Sequence, residues 1–161
     1  MADIKTKYGA ANQALTITID GLASEAQRAS AAVDNAASGF TDALVQVRIA
    51  TNPAADSTGD KSVYVYAYGT SDDGTTYSAN ASGADAAFGT DPQQLGNCRL
   101  IGTIYAPTQN QIYESDLMSV AAAFGGALPQ RWGILVANRT GQALKGSDCA
   151  AFYQGLCLQA D

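Results

Sequence analysis

Alternating apolar and polar residues predict a series of short strands along most of this chain. In residues 14–20, Leu15, Ile17 and Ile19 point one way and the threonines between them point the other. Similar apolar patterns, bounded by Gly, Pro, Asn or Asp, occupy residues 27–34, 41–51, 63–68, 98–106, 111–120, 132–138 and 150–159. Strands at this spacing, without a long helical period, predict an all-β fold: an antiparallel two-sheet sandwich.

The length of the chain predicts a single domain. Its 161 residues fall in the range of roughly 100–200 residues that is usual for one domain. Residues 1–12 are polar and precede the first predicted strand, so we interpret them as a flexible N-terminal arm followed by a sandwich domain at 13–161. Residues 69–96 are rich in Gly, Ser, Asp, Asn and Thr, which predicts an irregular stretch with a surface excursion at 78–89.

The charge balance argues against two classes of partner. Nine Lys and Arg against fifteen Asp and Glu give a net charge of −6, which disfavours binding to nucleic acid or to an anionic membrane. The apolar runs are far shorter than the ~20 residues of a membrane span, and the first residues lack the apolar region of a secretory signal. We therefore expect synthesis in the cytoplasm. The low charged fraction of 15% is typical of proteins that bury surface in an assembly.

Residues suited to catalysis are scarce. The sequence has no His, the most common general base, and no G-x-S-x-G motif among its serines. Loops containing Asp56 and Asp60, or Asp72 and Asp73, offer oxygen ligands that Ca²⁺ would accept, but they lack EF-hand spacing and match ordinary turns. We therefore predict that the protein is not an enzyme and binds no cofactor and no metal.

The three cysteines cannot all pair within one chain. Cys149 and Cys157 lie eight residues apart in a predicted strand, about 26 Å at ~3.3 Å per residue, which is beyond disulfide reach. We expect Cys98, Cys149 and Cys157 to be reduced and to pack as small apolar residues. The alternatives are a disulfide between Cys98 and one of the other two cysteines, if their strands are neighbours, and an inter-subunit disulfide.

A row of tyrosines marks the predicted strand 63–68. Tyr64, Tyr66 and Tyr68 fall on one face, with Val and Ala residues on the other. Such a row can belong to the core, to a protein interface or to a platform for sugar rings, which Trp132 or Tyr105 would extend. The residues alone leave these three interpretations open.

Several segments carry a family resemblance. Residues Ser119–Ile134, followed by Asn138-Arg139-Thr140-Gly141, and the strand-turn segment Val63–Tyr77 resemble small virion proteins of tailed bacteriophages. Residues Leu44–Arg48 and Phe152–Gly155 fit the same pattern, so the resemblance spans most of residues 14–159. It implies a β-sandwich, jelly-roll-type decoration or cement protein, which binds the outside of the capsid, commonly as a trimer.

The resemblance implies a mechanical role in the virion. The expected partners are the major capsid protein, whose neighbouring capsomers this protein would bridge on the capsid exterior, and further copies of itself in a homotrimer. Alternatives are a head fibre base, a tail or baseplate component on the same fold, or a carbohydrate-binding module that recognises surface glycans. We expect protein contacts at the arm and at the aromatic strands, namely at Lys5, Lys7, Tyr8, Tyr64, Tyr66, Tyr68, Arg131 and Trp132.

Overall fold

A computed structural model of the protein describes residues 3–89 and 95–160. Within them, strands account for most of the regular structure, with two short 3-10 helices at Ser78–Asn80 and Ala121–Phe124. The described part of the chain contains no helix long and apolar enough to cross a membrane. The strands are β1 (Ile4–Tyr8), β2 (Gln13–Ala14), β3 (Gln27–Ala29), β4 (Val33–Asp34), β5 (Asp42–Ala50), β6 (Ser62–Thr70), β7 (Ala86–Phe88), β8 (Arg99–Tyr105), β9 (Ile112–Glu114), β10 (Met118–Ser119), β11 (Arg131–Arg139) and β12 (Ala150–Ala160).

Two antiparallel sheets pack face to face, so the predicted all-β sandwich is confirmed. Sheet A has the order β1-β12-β5-β10, with β2 also paired to β12 and β9 also paired to β5. Sheet B has the order β7-β3-β11-β6-β8, with β4 also paired to β11. The edges of sheet A are therefore β1 and β10, and β8 is an edge of sheet B.

The core between the sheets follows from strict alternation in the longest strands. Every second residue of β5, starting at Ala43, is fully buried, and the residues of β6 and β11 that face it are aliphatic or aromatic. β-Branched side chains suit these positions because they pack well on a pleated surface. The fully buried core residues of these three strands include Val45, Val47, Ile49, Val63, Val65, Trp132, Ile134 and Val136.

The first predicted strand is mostly a crossing segment between the two sheets. The strand ends at Ala14, and the backbone then bonds to both sheets: Leu15 N–H donates to Ala151 O of sheet A, and Thr16 O accepts from Ala31 N–H beside sheet B. Leu15 and Ile19 are buried, as their alternation predicted. The prediction of a strand over 14–20 is wrong in extent, because alternation indicates an extended backbone with one buried side and does not identify a partner strand.

The N-terminal arm is a second correction. Ile4–Tyr8 form β1. All five residues pair antiparallel with the C-terminal end of β12, from Leu156 to Ala160. All five β1 side chains are exposed, which explains why the sequence lacks the pattern of a buried strand. The interpretation of this segment as a flexible arm is therefore wrong for Ile4–Tyr8. Met1 and Ala2 lie outside the described residues.

A smaller apolar cluster covers the outer face of sheet B. The predicted surface excursion folds back over this face and contributes β7, which pairs with β3. Its side chains pack against the outward residues of β6 and β11, so this face of the sheet is largely hidden. The buried members are Ala29, Tyr68, Ala81, Phe88, Leu95, Cys98, Leu135 and Ala137.

Candidate interaction surfaces

The tyrosine row is split between core and surface. Tyr68 is fully buried beneath the excursion, its hydroxyl donates to Ser30 O at 2.6 Å, and its ring meets Tyr77 edge-on with centroids 5.5 Å apart. Burial raises the pKa of the Tyr68 hydroxyl, which stays protonated. The prediction of a contact role for Tyr68 is wrong, because the excursion covers that end of the row.

Tyr64 and Tyr66 remain half-buried and form the wall of an open cleft. Their ring centroids lie 6.5 Å apart at an interplanar angle of 47°. The Tyr64 hydroxyl donates to Asp60 Oδ2 at 2.7 Å, and this hydrogen bond raises the pKa of Tyr64. Leu100 and Arg139 complete the sides of this tyrosine cleft, whose volume is about 430 Å³. It offers apolar ring faces beside a carboxylate, a combination suited to a small polar ligand with one apolar face.

Trp132 and Arg131 point to opposite sides of β11. Trp132 is fully buried between the sheets, with its ring edge-on to Tyr153 at 5.4 Å. Its indole N–H has no hydrogen-bond partner among the residues that the structure describes, so the indole contributes by packing. The prediction of a contact role for Trp132 is wrong, because alternation along β11 places it in the core.

Arg131 holds two neighbouring segments to β11. Its guanidinium lies 3.0 Å from Asp34 of β4 and 2.9 Å from Asp73 in the turn after β6. The hydrogen bond to Asp73 is the main cause of a raised Arg131 pKa. The side chain is partly exposed, but its charged end is occupied within the chain. An intermolecular contact through Arg131 stays a prediction.

The paired ends of β1 and β12 form a surface that we call the β1 ribbon, comprising Ile4–Tyr8 and Leu156–Ala160. β5 pairs with β12 only as far as Leu156, so the ribbon extends past that strand. The register places Ile4 and Tyr8 on the same face as Leu158, and these three side chains are 71%, 60% and 62% exposed. Lys5 and Lys7 lie between them in the sequence and point to the other face of the ribbon. The three contact residues predicted for the arm, Lys5, Lys7 and Tyr8, therefore all lie on this ribbon.

The opposite edge of the sandwich carries the β8–β10 cleft, a mostly polar cleft between these two edge strands that is flanked by two exposed leucines. Leu100 is 52% exposed and Leu117 is 64% exposed, and both line the cleft. Small residues such as Ala122 and Ala123 form part of its lining, and its volume is about 550 Å³. Sequence reasoning missed this surface. The available signal was the adjacent pairs Leu100-Ile101 and Leu117-Met118, since only one member of each pair can face the core.

In the loops considered for calcium binding, aspartate carboxylates accept hydrogen bonds from hydroxyl and backbone N–H groups of the protein. Asp72 accepts hydrogen bonds from the Thr70 hydroxyl and the Thr76 N–H, and the Thr70 bond is the main reason that its pKa falls to about 2. Asp56 accepts the N–H of Gln109. Within residues 3–89 and 95–160, no three His, Cys, Asp or Glu side chains are grouped as metal ligands.

The three cysteines are free thiols in separate places. Cys98 lies in the cluster under the excursion, and burial raises its pKa to about 11. Cys149 packs at the edge of the main core, where burial also raises its pKa to about 11. Cys157 lies in the β1 ribbon and is half-buried.

Comparison with known proteins assigns no role to these surfaces, so their geometry is the basis for interpreting them. No protein-family model, no curated protein and no solved structure matches the chain. Two features distinguish the surface of this sandwich: exposed apolar side chains at both lateral edges, and a tyrosine cleft on the outer face of sheet B. The first is suited to protein partners and the second to a small ligand.

Proposed function

We propose that this protein is a structural component of a tailed-bacteriophage virion. In this proposal it binds the capsid exterior and links neighbouring capsomers of the major capsid protein. The observation that carries it is the exposure of large apolar side chains on opposite edges of one sandwich, at the β1 ribbon and beside the β8–β10 cleft. Exposed apolar surface on a soluble domain marks sites of protein association, and two such sites let one molecule bridge two neighbours.

The strand order supports the jelly-roll part of the proposal. From β2 to β12 the chain crosses between the sheets at β2–β3, β4–β5, β5–β6, β8–β9, β10–β11 and β11–β12, and stays in sheet B from β6 to β8. The result is two interleaved sets, β1/β2-β12-β5-β9/β10 and β7-β3/β4-β11-β6-β8. Jelly rolls are two-sheet folds built from Greek keys, and they serve as viral capsid domains and as lectins.

The proposed mechanism is adhesion without chemistry. A protein that binds the assembled shell but not its separated capsomers stabilises the assembly, by about 2.7 kcal/mol per site when its free concentration is 100 times Kd. Specific interfaces of this kind bury about 1,200–2,000 Å² in total. Enzymatic function is not part of the proposal, because the sequence has no His and no motif for nucleophilic catalysis.

The proposal is tested by adding recombinant protein to bare, expanded capsids of the phage that encodes it. We expect the protein to co-sediment with the shells and to raise the temperature at which they rupture. Copy number from mass spectrometry of purified particles separates the alternatives: hundreds of copies support the shell, whereas six or twelve support a tail, baseplate or fibre-base position. Failure to bind mature shells would contradict the proposal.

A second candidate function is glycan binding, and the tyrosine cleft is the observation that favours it. Tyr64 and Tyr66 present ring faces on which a sugar could stack, and Asp60 lies beside them as a hydrogen-bond acceptor. Tyr66→Ala is expected to abolish the quenching of tyrosine fluorescence by a sugar that scores on a glycan array. The control is Tyr105→Ala, an exposed tyrosine on β8 that does not line the cleft. No array signal, or equal losses in both variants, would reject this candidate.

A further inference from the structure

We propose that the outer face of sheet A carries a binding site for a neutral saccharide, in which one sugar ring lies against Phe152. The site is a pocket of about 230 Å³, which we call the Phe152 pocket, lined by Asn12, Gln46, Arg48, Glu114 and Phe152. It lies on the opposite outer face of the sandwich from the tyrosine cleft. The inference does not rest on the proposed virion role.

The strand register brings four of these side chains to one face. Phe152 of β12 pairs with Gln46 of β5, and Arg48 of β5 pairs with Glu114 of β9. Residues directly opposite each other in a ladder point to the same side of the sheet. Gln46 and Arg48 share that side because they are two residues apart, and Val47 between them is fully buried in the core. All four side chains therefore point away from the core.

The connection between β1 and β2 adds Asn12 to the pocket. Asn12 has a φ of 51°, a left-handed conformation in which asparagine is enriched. Two hydrogen bonds fix the start of this connection to β12: Gly9 N–H donates to Gly155 O at 2.8 Å, and the Gln154 side-chain amide donates to Gly9 O at 3.0 Å. Asn12 is therefore held beside Phe152 in advance, which lowers the entropic cost of binding a ligand.

Phe152 supplies an apolar surface for a sugar ring. Its side chain is half-buried on the sheet, and its ladder partner in β2 is the small residue Ala14. The face of an aromatic ring carries partial negative charge, which attracts the C–H groups on the apolar face of a sugar. The pocket volume is below the ~300–1,000 Å³ that is usual for drug-sized ligands, so it suits a single ring.

The polar side chains of the pocket keep hydrogen-bonding capacity that the described part of the chain does not use. The Arg48 Nε–H and Nη2–H groups both donate to Glu114 Oε1, at 2.9 and 2.6 Å, so Glu114 Oε2 and Arg48 Nη1 form no hydrogen bond within that part. Gln46 uses only its Nε2, which donates to Ser115 O, and the Asn12 amide is unused there. Donors and acceptors therefore surround one pocket. A hydroxyl group both donates and accepts, so a ligand with several hydroxyls satisfies both kinds.

Charge selects an uncharged ligand. Arg48 and Glu114, the charged residues that line the pocket, form an ion pair with each other at 2.6 Å. Asp148 also interacts with Arg48, but it is itself paired with Lys145 at 2.6 Å. A ligand carboxylate would lie beside Glu114 and a ligand ammonium beside Arg48, and like charges at short range repel each other. A neutral sugar avoids both penalties.

The test titrates the isotope-labelled full chain with glucose, galactose, mannose and N-acetylglucosamine, and follows the backbone amide signals by NMR. We expect at least one of these sugars to shift the amides of Asn12, Gln46 and Phe152 in a saturable way, with a Kd on the order of 1 mM for so small a ligand. The uronate and the amino sugar that correspond to the sugar that binds test the role of charge. Both should bind more weakly than the neutral sugar at pH 7.

Two variants test the residues assigned to the site. Phe152→Leu keeps apolar volume but removes the ring, and Asn12→Gly keeps the left-handed backbone but removes the amide. We expect each to raise Kd about fivefold. Tyr66→Ala is the matched control, because it alters the tyrosine cleft and leaves the Phe152 pocket intact. Thermal unfolding shows whether each variant is folded, and Asn12→Gly decides the test if Phe152→Leu unfolds early.

Four results would overturn the inference. The first is the absence of shifts at the Phe152 pocket with every sugar, at concentrations about tenfold above that Kd. The second is a set of shifts confined to Tyr64 and Tyr66, which would support the tyrosine cleft instead. The third is tighter binding of the uronate or the amino sugar than of the neutral sugar. The fourth is wild-type affinity in a folded Asn12→Gly variant. None of these results bears on binding to capsids, so the proposed function is tested separately.

Discussion

Gly133 leaves the space that the ring of Tyr68 occupies on the neighbouring strand. The two residues are direct partners in the β11–β6 ladder, and a Cβ built at Gly133 would lie 2.5 Å from the hydroxyl oxygen of Tyr68. The ring cannot move freely, because it is fully buried and its hydroxyl is bonded to Ser30 O. Gly133→Ala therefore forces the Tyr68 ring away from its position and strains the hydrogen bond.

The size of the effect follows from two contributions. Overpacking in a well-packed interior costs about 1–3 kcal/mol, and weakening one buried hydrogen bond costs about 1 kcal/mol. We expect Gly133→Ala to lower the free energy of unfolding by about 2–4 kcal/mol. At about 2–4 °C per kcal/mol for a chain of this size, the Tm should fall by roughly 5–15 °C.

Urea unfolding followed by Trp132 fluorescence measures this loss. Trp132 is the only tryptophan in the sequence, and its buried ring reports loss of the core directly. Gly146→Ala is the matched control, because no heavy atom outside its two chain neighbours lies within 4 Å of a Cβ at that site. It should be neutral or raise stability by up to about 1 kcal/mol. The packing argument is refuted if Gly133→Ala unfolds at the same urea concentration as Gly146→Ala.

Two further predictions concern titratable groups. Arg28, and secondarily Thr18, hold the pKa of Asp85 at about 2 by hydrogen bonding, so its ionised form stabilises the fold fully above pH 3.8 and loses that effect as the pH falls toward 2. Asp85→Asn should therefore lower the free energy of unfolding by about 1–2 kcal/mol at pH 7. Urea unfolding of the wild type and the variant should give converging stabilities as the pH falls to about 2, and a stability difference that does not change with pH would contradict this. The second concerns the thiols: at pH 8, Ellman's reagent should modify half-buried Cys157 well before Cys98 and Cys149, because the pKa values of the latter two are raised to about 11. Peptide mapping identifies the modified cysteine, and modification of Cys98 first would contradict this order.

The strands of the main core could be predicted because their alternation reports burial directly. Val45, Val47 and Ile49 alternate with side chains that are only partly buried or exposed, and the sandwich confirms the inward row. The same rule does not identify partners. It predicted a strand at Leu15–Ile19, where the backbone crosses between sheets, and it gave no sign of β1, whose side chains are all exposed.

The surface was harder to predict because exposure depends on which distant segment covers a face. Tyr64 and Tyr68 are equivalent in the sequence, yet only Tyr68 lies under the excursion. The predicted contact role of Trp132 is wrong because alternation along β11 turns its side chain into the core. Leu100 and Leu117 come together across two sheets, a juxtaposition that no local pattern indicates.

Electron cryomicroscopy of intact virions tests the central proposal most directly. Particles that carry the protein are compared with particles from a phage lacking its gene, and the difference density locates every copy. We predict sandwich-sized density repeated across the outer shell and joined to more than one capsomer at each site. Density confined to a single vertex or to the tail, or no difference between the two particles, would contradict the account.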